Sequence, residues 1–418
     1  MRWGGWLLSF TVLWAQDTVY ITIAQAEKQF LERNLYLIAQ KLRIEAEKAL
    51  VWQARLWPNP QLTIDQVDLF TRAEAGFDAG PWLSTPRANQ IAATLSQTLL
   101  TAGKRLKGVA LAEASVRIQE AALAELLRTL RYQLLSTLYA VQRDQILLGL
   151  LQEQLSLLDL LRRRYRQLSE QALVPLPEYL RIENLYLQVQ ADLRVRRQSW
   201  EEAQHTLRVA LRIDSLPIVL WIDTTGFFQS KLPQAPPLDS LLLQVYKRGD
   251  VRIAQETSRY QKASWAFEKA LAYPDVDVLV SYDRLGGYRL NQLGVGFALP
   301  LPLFARNQGR IKAAQLSAYA ADTAYQQTIL TAQSEILRAW RNFLLLQKQW
   351  ENTDPTLLER YRRAETAYRE NLLAGRIGFL TYVDFFQSYR DLTEMLMELF
   401  YLSHQTLNEL SYAVGTTE

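Results

Sequence analysis

The chain has 418 residues, 49% of them hydrophobic and 22% charged, with a formal net charge of +4. That balance excludes wholesale disorder and leaves room for one large core or two to three domains. There is no cysteine, and there are only three methionines and two histidines. Disulfides, thiol nucleophiles, cysteine-based zinc sites and a lipid-modified cysteine are therefore excluded, and soft-metal ligation has few donors.

The N-terminus opens with a short basic start, Met1-Arg2, followed by an uncharged run from Trp3 to Trp14 and the small residue Ala15. A run of about 12 residues is short of the ~20 that a membrane-spanning helix needs, so residues 1–16 are expected to be a signal peptide. No later stretch of about 18 uncharged apolar residues occurs, so no transmembrane helix is expected.

Thr22 to Trp57 predicts a helix that ends at Trp57-Pro58-Asn59-Pro60, where two prolines forbid continuation. Gln61 to Leu69 is β-prone, and Thr71 to Pro86 has loop composition. Ile91, Ala93, Leu95 and Leu99 then alternate with Ala92, Thr94, Ser96 and Thr98, the period of a strand. From Lys104 to Glu170 the pattern is helical and free of proline, which predicts a helix of about 100 Å at 1.5 Å per residue. Such a helix needs partners of comparable length. A turn at Ala172-Leu173-Val174-Pro175-Leu176-Pro177 leads to a returning helix from Glu178 to about Leu211. The segment 213–237, broken by five prolines and glycines, reads as a linker with a short strand.

The order then starts again. Asn34-Leu35 corresponds to Asp250-Val251, Ala54 to Ala270, and Trp57-Pro58 to Tyr273-Pro274, all at one offset. Val276, Val278, Val280 and Tyr282 alternate as a strand. Leu293, Val295, Phe297, Leu299 and Leu301 form one greasy row, with Gly294, Gly296, Ala298 and Pro300 between them. A second long helical run goes from Gly309 to Leu373, softened at Asn352 to Pro355. The turn Gly375-Arg376-Ile377-Gly378 and a final helix to about Tyr412 complete the copy. The expected domains are a first repeat over 17–212, a linker over 213–237 and a second repeat over 238–418. A period near 200 residues is a duplicated domain rather than a solenoid.

Two strands per copy give four per chain, each long enough to cross a bilayer when tilted. Four strands leave open edges, which hydrocarbon does not tolerate. Two copies would supply eight strands and three would supply twelve. The small residues on the second face favour an open lumen and hence the larger closure. The expected fold is α+β but mostly α: an internally duplicated chain with long coiled-coil helices and four strands that contribute to a trimeric twelve-strand barrel. The competing reading is a soluble or peripheral long-helix scaffold protein with two hairpins packed on a bundle.

The chain resembles the TolC-like outer-membrane efflux proteins. The resemblance rests on the duplication and on Arg55-Leu-Trp-Pro-Asn-Pro60. It also rests on Leu95-Ser-Gln-Thr-Leu99 with Gly103-Lys104-Arg105, and on Leu299-Pro-Leu-Pro-Leu-Phe304 followed by Asn307-Gln-Gly-Arg310. The turn Gly375-Arg-Ile-Gly-Phe-Leu-Thr381 with Asp384 completes it. The form around Trp57 looks most like members serving resistance-nodulation-division pumps. The resemblance implies a homotrimer in the outer membrane, with a barrel in lipid and a periplasmic helical tunnel. It implies an exit duct of a tripartite efflux or type I secretion system, partnered by a periplasmic adaptor and an inner-membrane pump. The sequence has no Gly-x-x-x-x-Gly-Lys-Ser/Thr phosphate loop and no His-Glu-x-x-His motif, so no enzymatic activity and no cofactor are expected.

By the same resemblance, Ala172, Leu173, Val174, Pro175, Gly375, Arg376, Ile377 and Gly378 are the adaptor-docking tips, and Thr381 and Asp384 line the pore aperture. Ala172 stands where the family has glycine, and Pro175 and Gly378 stand where it has a hydroxyl. Threefold symmetry would make Asp384 a ring of three carboxylates, which selects cations. In the first copy Glu178 stands opposite Thr381 and Arg181 opposite Asp384, and Glu178 also suits a helix start. Leu293, Val295, Phe297, Leu299 and Leu301 are the expected lipid-facing row. Trp82 and Tyr288 are candidate bilayer-interface anchors. His205 and His404 stand alone, which favours packing over metal ligation, so no metal site is expected. The arginine runs 162–166 and 194–197 read as solvated helix faces rather than as a nucleic-acid surface, and Arg376 as a tip salt-link donor.

Overall fold

The computed structural model describes residues 19–65, 91–213, 218–220, 232–284 and 291–415. The signal-peptide segment, the loop 71–86, Trp82 and Tyr288 lie outside the described residues. The elements run β1 (Val19–Ile21), α1 (Ile23–Arg33), α2 (Leu35–Arg55), β2 (Gln61–Asp65), β3 (Ile91–Leu99), α3 (Lys104–Glu170), α4 (Leu176–Leu211) and β4 (Ile218–Leu220). The second half runs α5 (Leu238–Leu242), a 3-10 turn (Leu243–Lys247), α6 (Gly249–Leu271), β5 (Val276–Arg284), β6 (Asn291–Ala298), α7 (Gln308–Glu351), α8 (Leu357–Leu373) and α9 (Phe379–Val414). Two compact units form. One comprises residues 40–123 and 249–330, and the other 1–39, 124–248 and 331–418, so each half of the chain contributes to both.

The helix expected over 22–57 is two helices. Asn34 takes an extended conformation between them. Its N–H donates to Phe30 O at 3.0 Å, and its Oδ1 accepts from the N–H groups of Tyr36 (3.0 Å) and Leu37 (3.3 Å). One asparagine thus closes α1 and caps α2, because its short polar side chain satisfies helix-end donors. The break between α7 and α8 has a similar cause. Asp354 Oδ1 accepts from Thr356 N at 2.8 Å and from Thr356 Oγ1 at 2.7 Å, while Pro355 has no N–H to continue the helix.

The unit of residues 40–123 and 249–330 carries the four-stranded antiparallel sheet, ordered β2-β3-β5-β6. Its centre is the β3–β5 pair, registered from Ile91 opposite Arg284 to Leu99 opposite Val276. β3 leaves into α3 through two consecutive left-handed residues, Ala102 (φ 51°) and Gly103 (φ 68°). That turn is tied to the start of β5. Lys104 Nζ reaches Tyr273 O and Asp275 Oδ1, each at 2.7 Å, and Thr101 N–H donates to the same carboxylate at 2.8 Å.

The other unit is helical. Along α9 the buried side chains Phe379, Tyr382, Phe386, Tyr389, Thr393, Leu396, Phe400 and Ser403 are spaced three and four residues apart in alternation. Sustained three-four spacing is a coiled-coil seam. Near the helix turns, Leu158 and Leu161 of α3, Ile182, Leu185 and Val189 of α4, Leu372 of α8 and Phe379, Tyr382 and Phe386 of α9 form one apolar cluster. The short β4 pairs in parallel with β1. Two glutamine amides bracket it as peptide mimics: Gln204 bonds both Ile218 N–H and Ile218 O, and Gln145 does the same at Leu220.

His404 is half-buried on α9 between Phe400 (ring centroids 4.1 Å apart) and Tyr139 (5.2 Å). Its Nδ1–H donates to Phe400 O at 3.0 Å. Burial holds its pKa below the ordinary value of 6.5, the backbone hydrogen bond opposing only in part. A depressed folded-state pKa means that protonation favours the unfolded chain. The stability from the neutral ring is present above about pH 6.5 and is lost as pH falls toward the folded pKa. His404→Phe is expected to flatten the pH dependence of thermal unfolding below about pH 6.5, read by circular dichroism.

Candidate functional site

Alternation on the sheet produces two chemically distinct faces. Cross-strand partners in a sheet point the same way. Leu62, Leu95, Val280 and Val295 stand in one row across all four strands. Ile64, Ala93, Tyr282 and Leu293 form the next row, and Gln97, Val278 and Phe297 another. The opposite face carries Thr94, Ser96, Thr98, Asp277, Ser281, Gly294 and Gly296, with Leu279 as its one large apolar side chain among the rows from Thr94 to Thr98. Among the described residues nothing covers the apolar row of β6: Leu293, Val295 and Phe297 are 75%, 70% and 71% exposed. The absence of a side chain at Gly294 is needed, since a Cβ there would lie 2.7 Å from Ser281 Oγ, opposite it on β5. Leu299 and Leu301 lie beyond the strand, which ends at Ala298. Pro300 and Pro302 cannot donate to a ladder, so the greasy row continues outside the sheet.

The two helix turns close alike. After α3, Ala172 N–H donates to Ser169 O and Leu173 N–H to Leu168 O. After α8, Gly375 N–H donates to Leu372 O and Arg376 N–H to Asn371 O. Both are helix C-caps with a left-handed residue, Ala172 at φ 56° and Gly375 at φ 70°. The alanine bears a Cβ where the backbone prefers none. Ala172→Gly is therefore expected to stabilise this turn by about 0.5–1 kcal/mol, visible as a higher unfolding temperature. Leu173, Val174 and Pro175 follow the first turn, with Leu173 exposed and Leu176 exposed at the start of α4. In the second turn Arg376 is exposed and reaches Asn371 Oδ1 at 3.4 Å, with no carboxylate partner among the described residues. Ile377 packs against the apolar cluster, and Gly378 is the N-cap residue of α9.

Thr381 and Asp384 are both exposed, in the first two turns of α9. The Asp384 carboxylate has no ion-pair partner among the described residues; its backbone carbonyl accepts from Ser388 Oγ at 3.0 Å. Behind them Tyr382 is fully buried and its hydroxyl donates to Glu365 at 3.3 Å. Burial pushes this phenol far above its usual pKa, and the neighbouring Glu365 charge adds to that. The arginine run of α3 is paired: Arg162 with Asp159 and Glu183, Arg163 with Asp159, Arg166 with Glu170. Among the described residues there is no group of three or more His, Cys, Asp and Glu side chains able to hold a metal ion. No described helix is long and apolar enough to cross a membrane.

Sequence reasoning missed a charged knot in the helical unit. Asp144 of α3 is fully buried. Its Oδ1 meets Arg143 Nε at 2.9 Å and Arg196 Nη1 at 3.2 Å, and its Oδ2 accepts from Ser199 Oγ at 2.9 Å. Arg143 continues to Glu398 and Arg196 to Glu394, so α3, α4 and α9 are joined through one carboxylate. Asp144 sits between buried Val141 and Leu147, at a core position of the helix stripe. An acid at such a position is the signal that would have revealed it.

Residues 248–416 match the family model described as outer membrane efflux protein. The cobalt-zinc-cadmium resistance protein CzcC of Cupriavidus metallidurans is 24% identical over 153 residues, a match spanning 37% of this chain and 37% of that protein. The fold matches that of CusC, whose structures describe folding and transmembrane channel formation, with a TM-score of 0.70 at 16% identity over 95% of this chain and 93% of that one. It also matches the Campylobacter jejuni CmeC outer membrane channel, with a TM-score of 0.74 at 14% identity over 94% of this chain and 85% of that one. Residues 248–416 thus match the outer membrane efflux protein family model by sequence, and nearly the whole chain shares the fold of these outer-membrane channels.

Proposed function

We propose that the chain is the exit duct of a tripartite exporter, passing cargo through the outer membrane without itself supplying energy. The observation that carries this reading is the sheet. It has one uncovered apolar face, one face of small and polar residues, and two open edges at β2 and β6. Open edges and a bare apolar face are untenable for one copy in hydrocarbon. Three copies, each pairing β6 with the next copy's β2, give twelve strands, with the apolar face toward lipid and Gly294, Gly296 and Thr94 toward a lumen. The long helices α3, α4, α7, α8 and α9 continue from this barrel into the periplasm as two repeats over 17–212 and 238–418. The turns at 172–175 and 375–378 receive a periplasmic adaptor, which couples the duct to an inner-membrane pump.

Asp384 repeated around a threefold axis places three unpaired carboxylates at the aperture. Asp384→Asn is expected to reduce cation preference in planar bilayers, read as a reversal potential that moves toward zero in a salt gradient. An unchanged reversal potential would remove Asp384 from the aperture. The duct reading is tested by extracting the mature protein. It predicts a detergent-requiring, heat-modifiable oligomer that forms conducting pores. A protein recovered in the aqueous phase as a monomer would instead be the long-helix scaffold.

A further inference from the structure

The two strand-to-helix passages are unequal. Four residues separate β3 from α3, but nine, Leu299 to Asn307, separate β6 from α7. The longer passage holds Leu299, Leu301, Leu303 and Phe304 in the open, with Phe304 89% exposed. It is not a loose loop. Leu303 N–H donates to Leu301 O at 2.9 Å. Arg306 Nε donates to Pro302 O at 3.1 Å and Gln308 Nε2 to Phe304 O at 3.1 Å. Asn307, left-handed at φ 59°, is anchored through its Nδ2 to Glu268 O at 2.9 Å and Glu268 Oε2 at 2.6 Å.

A braced backbone that presents four large apolar side chains has something to bind. Three observations select a phospholipid surface. First, Leu299, Leu301 and Leu303 extend, residue by alternate residue, the apolar row Leu293, Val295 and Phe297 of β6. Second, the backbone is spared donors that hydrocarbon would leave unpaired. Pro300 and Pro302 have none, and the Leu303 N–H is bonded within the segment. Third, the apolar stretch is followed by Arg306, Arg310 and Lys312, which are exposed and pair with no carboxylate among the described residues. That order, greasy and then cationic, is the profile of a segment seated at the boundary between acyl chains and phosphate headgroups. The register also brings Trp57, ahead of β2, and Tyr273, ahead of β5, to this same end of the sheet. Both are exposed, and the Arg105 guanidinium lies 4.7 Å above the Trp57 ring.

We propose that residues 299–306 are a built-in membrane-surface anchor, seated in the phospholipid leaflet at the end of the barrel where the helices begin. The proposal rests on the duct reading above. It would fix the depth of the barrel in a chain that has no cysteine to carry a lipid.

The absence of cysteine makes the test clean. Phe304→Cys, Val295→Cys and Arg363→Cys would each carry one environment-sensitive fluorophore on the full-length protein, reconstituted in vesicles of phosphatidylethanolamine and phosphatidylglycerol. The expected result is blue-shifted emission and quenching by acyl-chain nitroxide lipids at positions 295 and 304, with quenching by aqueous iodide at 363. Quenching by acyl-chain nitroxides at 295 with iodide quenching at 304 would overturn the anchor and leave the barrel standing. Iodide quenching at both 295 and 304 would overturn the barrel and the anchor together. In parallel, Leu303→Ser/Phe304→Ser is expected to leave the oligomer band of unboiled gels at wild-type intensity. Loss of that band would assign the segment to a second copy of the chain and end the proposal.

Discussion

Asp144→Ala is expected to destabilise the helical unit by about 3–5 kcal/mol, the cost of leaving buried charges without their partner. Asp144 is fully buried, and Arg143 and Arg196 both converge on its Oδ1 at 2.9 and 3.2 Å. Removing the carboxylate takes from two half-buried guanidiniums the buried partner they share, leaves each with one more exposed glutamate, and frees the Ser199 hydroxyl. Glu394→Ala is the contrasting variant. The Glu394 side chain is 57% exposed, so losing its bond to Arg196 is expected to cost less than about 1 kcal/mol. Thermal unfolding of the detergent-solubilised protein, followed by helical circular dichroism, compares the two. Equal melting temperatures for both variants would show that the knot is a surface feature rather than the tie between α3, α4 and α9.

Val295→Arg is expected to cost about 2–4 kcal/mol in a bilayer and far less in the polar face of the sheet. Val295 stands on the open edge strand β6, in register with Val280, Leu95 and Leu62. In the proposed barrel a guanidinium there would face hydrocarbon. Thr94→Arg, on the opposite face, would place the same charge toward the proposed lumen. The measurement is the yield of heat-modifiable oligomer in the outer-membrane fraction. The expected outcome is loss for Val295→Arg and retention for Thr94→Arg. The reverse order would place lipid on the small-residue face and invert the barrel.

Much of this architecture was legible because local chemistry repeats at a fixed period. The long helix Lys104–Glu170 was readable to its ends, since proline-free periodicity ran between a glycine turn and a two-proline turn. The sheet faces were readable in Gly294, Gly296 and Ala298 set between Leu293, Val295 and Phe297, because alternation in a strand is a property of the backbone. Other features escaped because they depend on one side chain's partner. The split at Asn34 required the asparagine to bond backward and forward at once, and nothing in a helical run announces that choice. The end of β6 at Ala298 was masked by a hydrophobic row that continues past the strand. The two turns at 172–175 and 375–378 were expected from motif. Their geometry, with an alanine forced left-handed at Ala172, belongs to the cap hydrogen bonds.

Arginine runs mark the boundary most sharply. Arg194, Arg196 and Arg197 look alike in a run of four residues. In the fold Arg197 meets Glu201 one turn away, at 4.0 Å, while Arg196 crosses to the buried Asp144. By itself, the sequence determined the duplication, the length of the helix Lys104–Glu170, the two-faced strands and the family likeness, because each is written in spacing along the chain. Only the tertiary structure decided the strand order β2-β3-β5-β6, the Asp144 knot and the braced apolar passage after β6. Those arise where separate segments of the chain meet, or where a backbone closes on itself through specific hydrogen bonds, and residue spacing carries no record of either.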